Sequence, residues 1–141
     1  MHFFGHRNCP QIKQSLLKTL ENLIEKNGVN VFYVGNQGSF DRQAYHALKE
    51  LKRKYVHIQY HIVLAYLKKE VDADFSSQED TLFPEGLEKV HLRFAISWRN
   101  QWMLQKAEYV VVYIVHPFGG AAQFARQAEK NGKIVINLAG E

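Results

Sequence analysis

The stretch EYVVVYIV, residues 108–115, constrains the fold more than any other part of the chain. Its run of β-branched and aromatic residues lacks the alternation of a half-exposed strand, so it reads as a strand buried on both faces. HPFGG follows it, and then GGAAQFARQAEKNG, in which Ala121, Ala125 and Ala128 form a narrow helical face able to approach a sheet closely. A strand, a glycine turn and a helix make up the repeating unit of a parallel sheet.

That unit recurs along the chain. HFF makes a short buried strand ended by Gly5. Ile12, Leu16, Leu20, Leu23 and Ile24 then return with helical spacing in PQIKQSLLKTLENLIEKNG. Pro10 suits a first helical turn because it needs no amide donor, and Gly28 can stop the helix because it tolerates positive φ. VNVFYVG is a second strand, broken by GNQGS, and Phe40, Ala44, Ala47, Leu48 and Leu51 mark a helix running to Lys54. VHIQYHIVLAYL is a third strand, and its His, Gln and Tyr suit a sheet edge better than a centre. DADFSSQEDTLFPEGLEKVH has no sustained period and is expected to be a long loop of the kind that covers ligand sites. FAISWRNQWMLQKA is expected to be a helix with Ile96, Arg99, Asn100 and Met103 near one side, and KIVINL a closing fifth strand.

The alternation predicts an α/β, Rossmann-like three-layer sandwich built on a mainly parallel five-stranded sheet in the order 3-2-1-4-5. In that order the first and fourth strands lie side by side while their connections diverge to opposite faces, leaving a crevice at their carboxyl ends. Gly5-His6-Arg7 and His116-Pro117-Phe118-Gly119-Gly120 would both border it.

A chain of 141 residues, 46% hydrophobic and 23% charged, has the size and balance of one folded domain spanning 1–141. Lys plus Arg number 18 against 14 Asp plus Glu, which favours an anionic partner without selecting its class. The basic residues fall mostly in helix-like segments such as KELKRKY, and there is no aromatic-and-basic track, so nucleic acid is not the expected partner. Cys9 is the lone cysteine, which excludes an intramolecular disulfide and fits a reducing compartment. No charged leader with a cleavable apolar stretch and no bilayer-length apolar run is visible, so a cytoplasmic address and no membrane partner are expected.

The FGG segment places unpaired amides at a helix start, where the peptide dipoles also favour an anion. Glycines there let a ligand approach the backbone closely. The competing reading of Gly119 and Gly120 is a plain strand-to-helix turn. In FYVGNQGSFD, Gly35 and Gly38 permit unusual backbone angles, Asn36 can hydrogen-bond a base or sugar, and Asp41 can bind a hydroxyl or orient Arg7. An Asn/Gly turn with Asp41 as a first-turn helix charge is the alternative. Arg7 offers phosphate a planar fork of donors. His6 is either a sugar contact, a proton carrier or a packing histidine, and Arg99 and Asn100 face either solvent or a ligand. GxGxxG and the Gly-Lys-Ser/Thr ending of a P-loop are both lacking, so no cofactor is expected. His2, His57, His61 and His91 form no metal-ligand grouping, and no metal is expected. Cys9 reads as a packing or capping residue, and Trp98 and Trp102 as groove-filling or subunit-contact residues.

With FFGHR, FYVGNQGSFD, SWRNQWML, EYVVVYIVHPFGGAAQF and KIVINL assembled, the chain resembles the bacterial branch of the SLOG superfamily. That name joins Smf/DprA and LOG, and the likeness is to the YpsA-like and YspA-like Rossmannoid proteins over nearly the whole chain. The resemblance implies binding of a nucleotide or phosphorylated nucleoside derivative and assembly as a homo-oligomer. It implies ligand contacts at Gly5, His6 and Arg7, at Gly35, Asn36, Gly38 and Asp41, at Arg99 and Asn100, and at Gly119 and Gly120. LOG enzymes, which are phosphoribohydrolases, carry PGGxGTxxE; this chain has Ala122 for the next Gly, Gln123 for Thr and Arg126 for Glu. Breaking an N-glycosidic bond develops positive charge on the ribose, which a carboxylate stabilises and an arginine does not. Binding or sensing without turnover is therefore the leading expectation. The alternatives are a nucleoside 5'-monophosphate N-glycosidase in which Asp41, Asp80 or Glu85 supplies the carboxylate, and a non-catalytic protein-interaction subunit.

Overall fold

The computed structural model of the chain describes residues 2–5, 12–35, 38–64 and 81–140. Strand β1 is His2–Gly5, helix α1 Lys13–Asn27, β2 Val31–Val34, α2 Gly38–Lys54 and β3 Gln59–Val63. After β4, Thr81–Leu82, come two short 3-10 turns, Leu87–Lys89 and Leu92–Phe94. The chain continues with α3 Ala95–Lys106, β5 Tyr109–Tyr113, α4 Gly120–Lys130 and β6 Ile134–Asn137.

A single five-stranded sheet is not what forms. β2, β3 and β4 make one three-stranded parallel block, and β5 and β6 make a separate two-stranded parallel block. The two meet only through β1, which pairs with β2 at His2–Tyr33 and Phe3–Val34 and with β5 from His2–Val110 to Gly5–Tyr113. The full order is β4-β3-β2-β1-β5-β6, six strands. The extra strand, Thr81–Leu82, lies inside the segment expected to be irregular, and it puts β3 one place in from the edge. Two residues cannot carry a period, so a strand this short leaves no pattern for sequence to reveal.

Successive residues of a strand point to opposite faces, and β5 shows how the helices use this. Val111 packs in the core formed by Leu16, Leu20, Phe32, Phe40 and Leu48, which includes α1 and α2. Val110 and Val112 pack instead with Leu104 of α3 and Phe124 and Ala128 of α4. Helices therefore cover both faces of β5. α1 ends where Gly28 turns left-handed at φ 69° and donates its amide to the Leu23 carbonyl. Its beginning is capped from outside, the Ile12 amide donating to Gln43 Oε1 of α2 at 3.0 Å. Among the described residues no helix is long and apolar enough to cross a membrane.

Candidate functional site

The carboxyl end of β2 brings three polar side chains into the interior. Asp41, in the first turn of α2, is 6% exposed; Arg99 and Asn100, both on α3, are 2% and 5% exposed. A buried guanidinium stays charged and must be surrounded by acceptors. Arg99 donates from Nη1 to the Val63 carbonyl at the end of β3, at 3.2 Å, and from Nε to Asn100 Oδ1, also at 3.2 Å. Gly35 makes room for this grouping. A methyl placed on it would lie 2.7 Å from Asp41 Oδ2 and 3.0 Å from Arg99 Nη1, so carboxylate and guanidinium share the space beside its Cα.

The second feature lies between α3 and α4. A cavity of about 440 Å³ is lined by Arg93, Ser97, Asn100, Gly120, Gln123 and Gln127, with apolar walls from Ile96 and Phe124. Gln101 donates across the groove to Gln127 Oε1 at 2.8 Å. At the start of α4, Gly119 adopts φ 95° and ψ 175°, and no side chain caps the first amides. Among the described residues nothing stands within 4 Å of a methyl built on either Gly119 or Gly120. The opening turn of α4 thus presents free N–H groups and the positive end of its dipole to open space. Among the described residues no carboxylate lines the cavity. It can receive an anion or a carbonyl, and it has no acidic side chain to supply a proton.

The loop before α4 is held at both ends. Asn137 Oδ1 accepts from the amides of Ile114, at 3.0 Å, and Ala139, at 3.1 Å, while its Nδ2 donates to the Ile114 carbonyl at 3.0 Å. At the other end Arg126 Nη1 donates to the Pro117 carbonyl at 2.9 Å, so this side chain is tied to its own loop. Between them His116 and Phe118 stack, ring centres 5.2 Å apart, with Phe118 67% exposed.

The residues singled out in the sequence fall into three groups. Gly35, Asp41, Arg99 and Asn100 come together at the β2 end, and Asn100 shares the α3–α4 cavity with Gly120. Gly5 ends β1 opposite Tyr113, and Gly38 opens α2 with φ 86°. Glu85 is exposed on the turn after Pro84 and does not line the α3–α4 cavity. His6, Arg7, Cys9, Asn36 and Asp80 lie outside the described residues. Among the described residues no group of three or more His, Cys, Asp or Glu is placed to hold a metal.

Arg93, Gln123, Gln127 and Asn137 were not anticipated. A signal for three of them exists: Arg93, Ser97 and Asn100 recur at helical spacing, as do Gln123 and Gln127, so each helix shows a polar stripe among apolar neighbours. Asn137 left no such mark.

The family model described as YpsA, the YspA SLOG family, matches residues 3–134. No curated protein matches the chain.

Proposed function

The chain belongs to the YspA SLOG family, which the match over residues 3–134 carries, and on that premise we propose that it binds or senses a nucleotide or phosphorylated nucleoside derivative without turning it over. The observation that supports this most directly is the start of α4, without a side-chain cap, opening beside the buried Asn100 on a cavity that no carboxylate of the described residues lines. The phosphate would sit on the amides around Gly119 and Gly120. Arg7 would add its guanidinium and Asn100 its side-chain amide, and Asn36 would select the sugar or base.

Hydrolysis of an N-glycosidic bond needs a carboxylate at the ribose. Arg126 occupies the position where LOG enzymes have one and is bonded to Pro117. Asp41 shares its buried space with Arg99 beside Gly35, and Glu85 is exposed away from the cavity lining. These placements favour binding over turnover.

The test is a melting curve with nucleoside 5'-monophosphates and ribose 5-phosphate. A ligand at 100 times its Kd adds about 2.7 kcal/mol, which raises the melting temperature by about 5–10 °C. Among the described residues nothing would meet a Cβ added at Gly120, so Gly120→Val is expected to fold while obstructing the approach of a phosphate. Stabilisation should be lost in that variant; equal stabilisation of variant and wild type would remove the α4 turn from the site. Release of free base from any of these nucleotides, read by chromatography, would overturn the claim of no turnover.

A further inference from the structure

Asn100 is 5% exposed, yet only one end of its amide is paired. Oδ1 accepts from Arg99 Nε, while Nδ2 has no hydrogen-bond partner among the described residues. Oxygen and nitrogen of an amide have nearly the same shape, so orientation must be decided by what each can bond. Here the chemistry leaves no choice. A guanidinium has donors and no acceptor, so the amide end facing Arg99 must be the oxygen and the opposite end must be the NH2 group. Arg99 is itself held by the Val63 carbonyl at the end of β3, so it is not free to turn away.

We propose that Arg99 is a positioning residue which locks the Asn100 amide with its NH2 toward the α3–α4 cavity, where that NH2 donates to a phosphoryl oxygen. This rests on the phosphate reading above and narrows it. Gly120 at the start of α4 and the cationic Arg93 line the same cavity, and among the described residues no carboxylate lines it to repel an anion. A buried unpaired NH2 is costly when left alone. A phosphoryl oxygen satisfies it, whereas an ammonium group, which only donates, would not.

The experiment is a titration of the full 15N-labelled chain with inorganic phosphate, following the Asn100 side-chain NH2 and the Gly120 backbone amide. Both are expected to shift along one saturation curve. Asn100→Asp keeps an oxygen for Arg99 and puts an oxygen where the donor was, and phosphate affinity should fall about tenfold or more. Arg99→Lys keeps the charge and loses the fixed Nε donor. With its backbone fingerprint in α4 unchanged, its affinity should fall about threefold or more, because the amide is then free to present either end. If Gly120 shifts and the Asn100 NH2 does not, the inference fails and phosphate binding at α4 stands. If neither shifts, both fail. If Asn100→Asp binds phosphate as tightly as wild type, the donor assignment is wrong, and this holds whether or not Arg99→Lys folds.

Discussion

Gly35 has ordinary backbone angles, so its value lies in the space a side chain would take. The contacts it would make are with Asp41 Oδ2 and Arg99 Nη1, the ends of side chains that are 6% and 2% exposed. Flexible ends usually move aside at small cost. Here Arg99 can do so only by giving up its bond to the Val63 carbonyl or to Asn100, both in the interior. Gly35→Ala is therefore expected to destabilise the fold by about 1–3 kcal/mol in urea unfolding. It should also weaken phosphate binding by releasing the Asn100 amide. A variant as stable as wild type would mean that Arg99 has slack the packing does not suggest.

At the scale of elements, the loop leading to α4 depends on a contact made far along the chain. Asn137 at the end of β6 bonds both the amide and the carbonyl of Ile114, in effect extending the ladder by one side chain. Replacing it with Ala leaves three part-buried backbone groups, the amide and carbonyl of Ile114 and the amide of Ala139, without this partner, and the expected loss is about 1–3 kcal/mol. Faster amide exchange at Ile114 would locate the effect, and unchanged exchange there would show that the loop is fixed by other means. Asn137 also illustrates what sequence makes legible. KIVINL reads as a strand from its β-branched residues, but an Asn at its end signifies a partner only once β6 has paired with β5. The same holds for Gln43, whose bond to Ile12 crosses from α2 to the start of α1. By contrast, the apolar faces of α1 and α2 were readable because helical spacing marks them without reference to any other element: Leu16, Leu20, Leu23, Phe40, Ala44 and Leu48 are buried as that spacing requires. For Arg99 and Asn100 the sequence left solvent and ligand as equal choices, because a polar pair between Trp98 and Trp102 does not say which side of α3 meets the sheet.

For the molecule as a whole, the sheet predicts a gradient of protection. Val110, Val111 and Val112 are fully buried in a strand paired on both sides, whereas β4 is a two-residue edge strand whose burial is intermediate. Amides of β5 should exchange slowest and those of Thr81 and Leu82 among the fastest, since edge strands open with less disruption than central ones. Equal protection of Leu82 and Val111 would contradict the strand order. The alternation of strands and helices was legible throughout, because it repeats in composition every few tens of residues; the strand count was not, because β4 is too short to repeat anything. One consequence follows from the place of β1. If it were withdrawn, the remaining strands would face each other across a slot one backbone wide, with a hydrogen-bonding rim on either side. An extended peptide copying the β1 segment is the natural plug for that slot, so the protein could be assembled from two pieces, with the peptide acting as the switch that closes it.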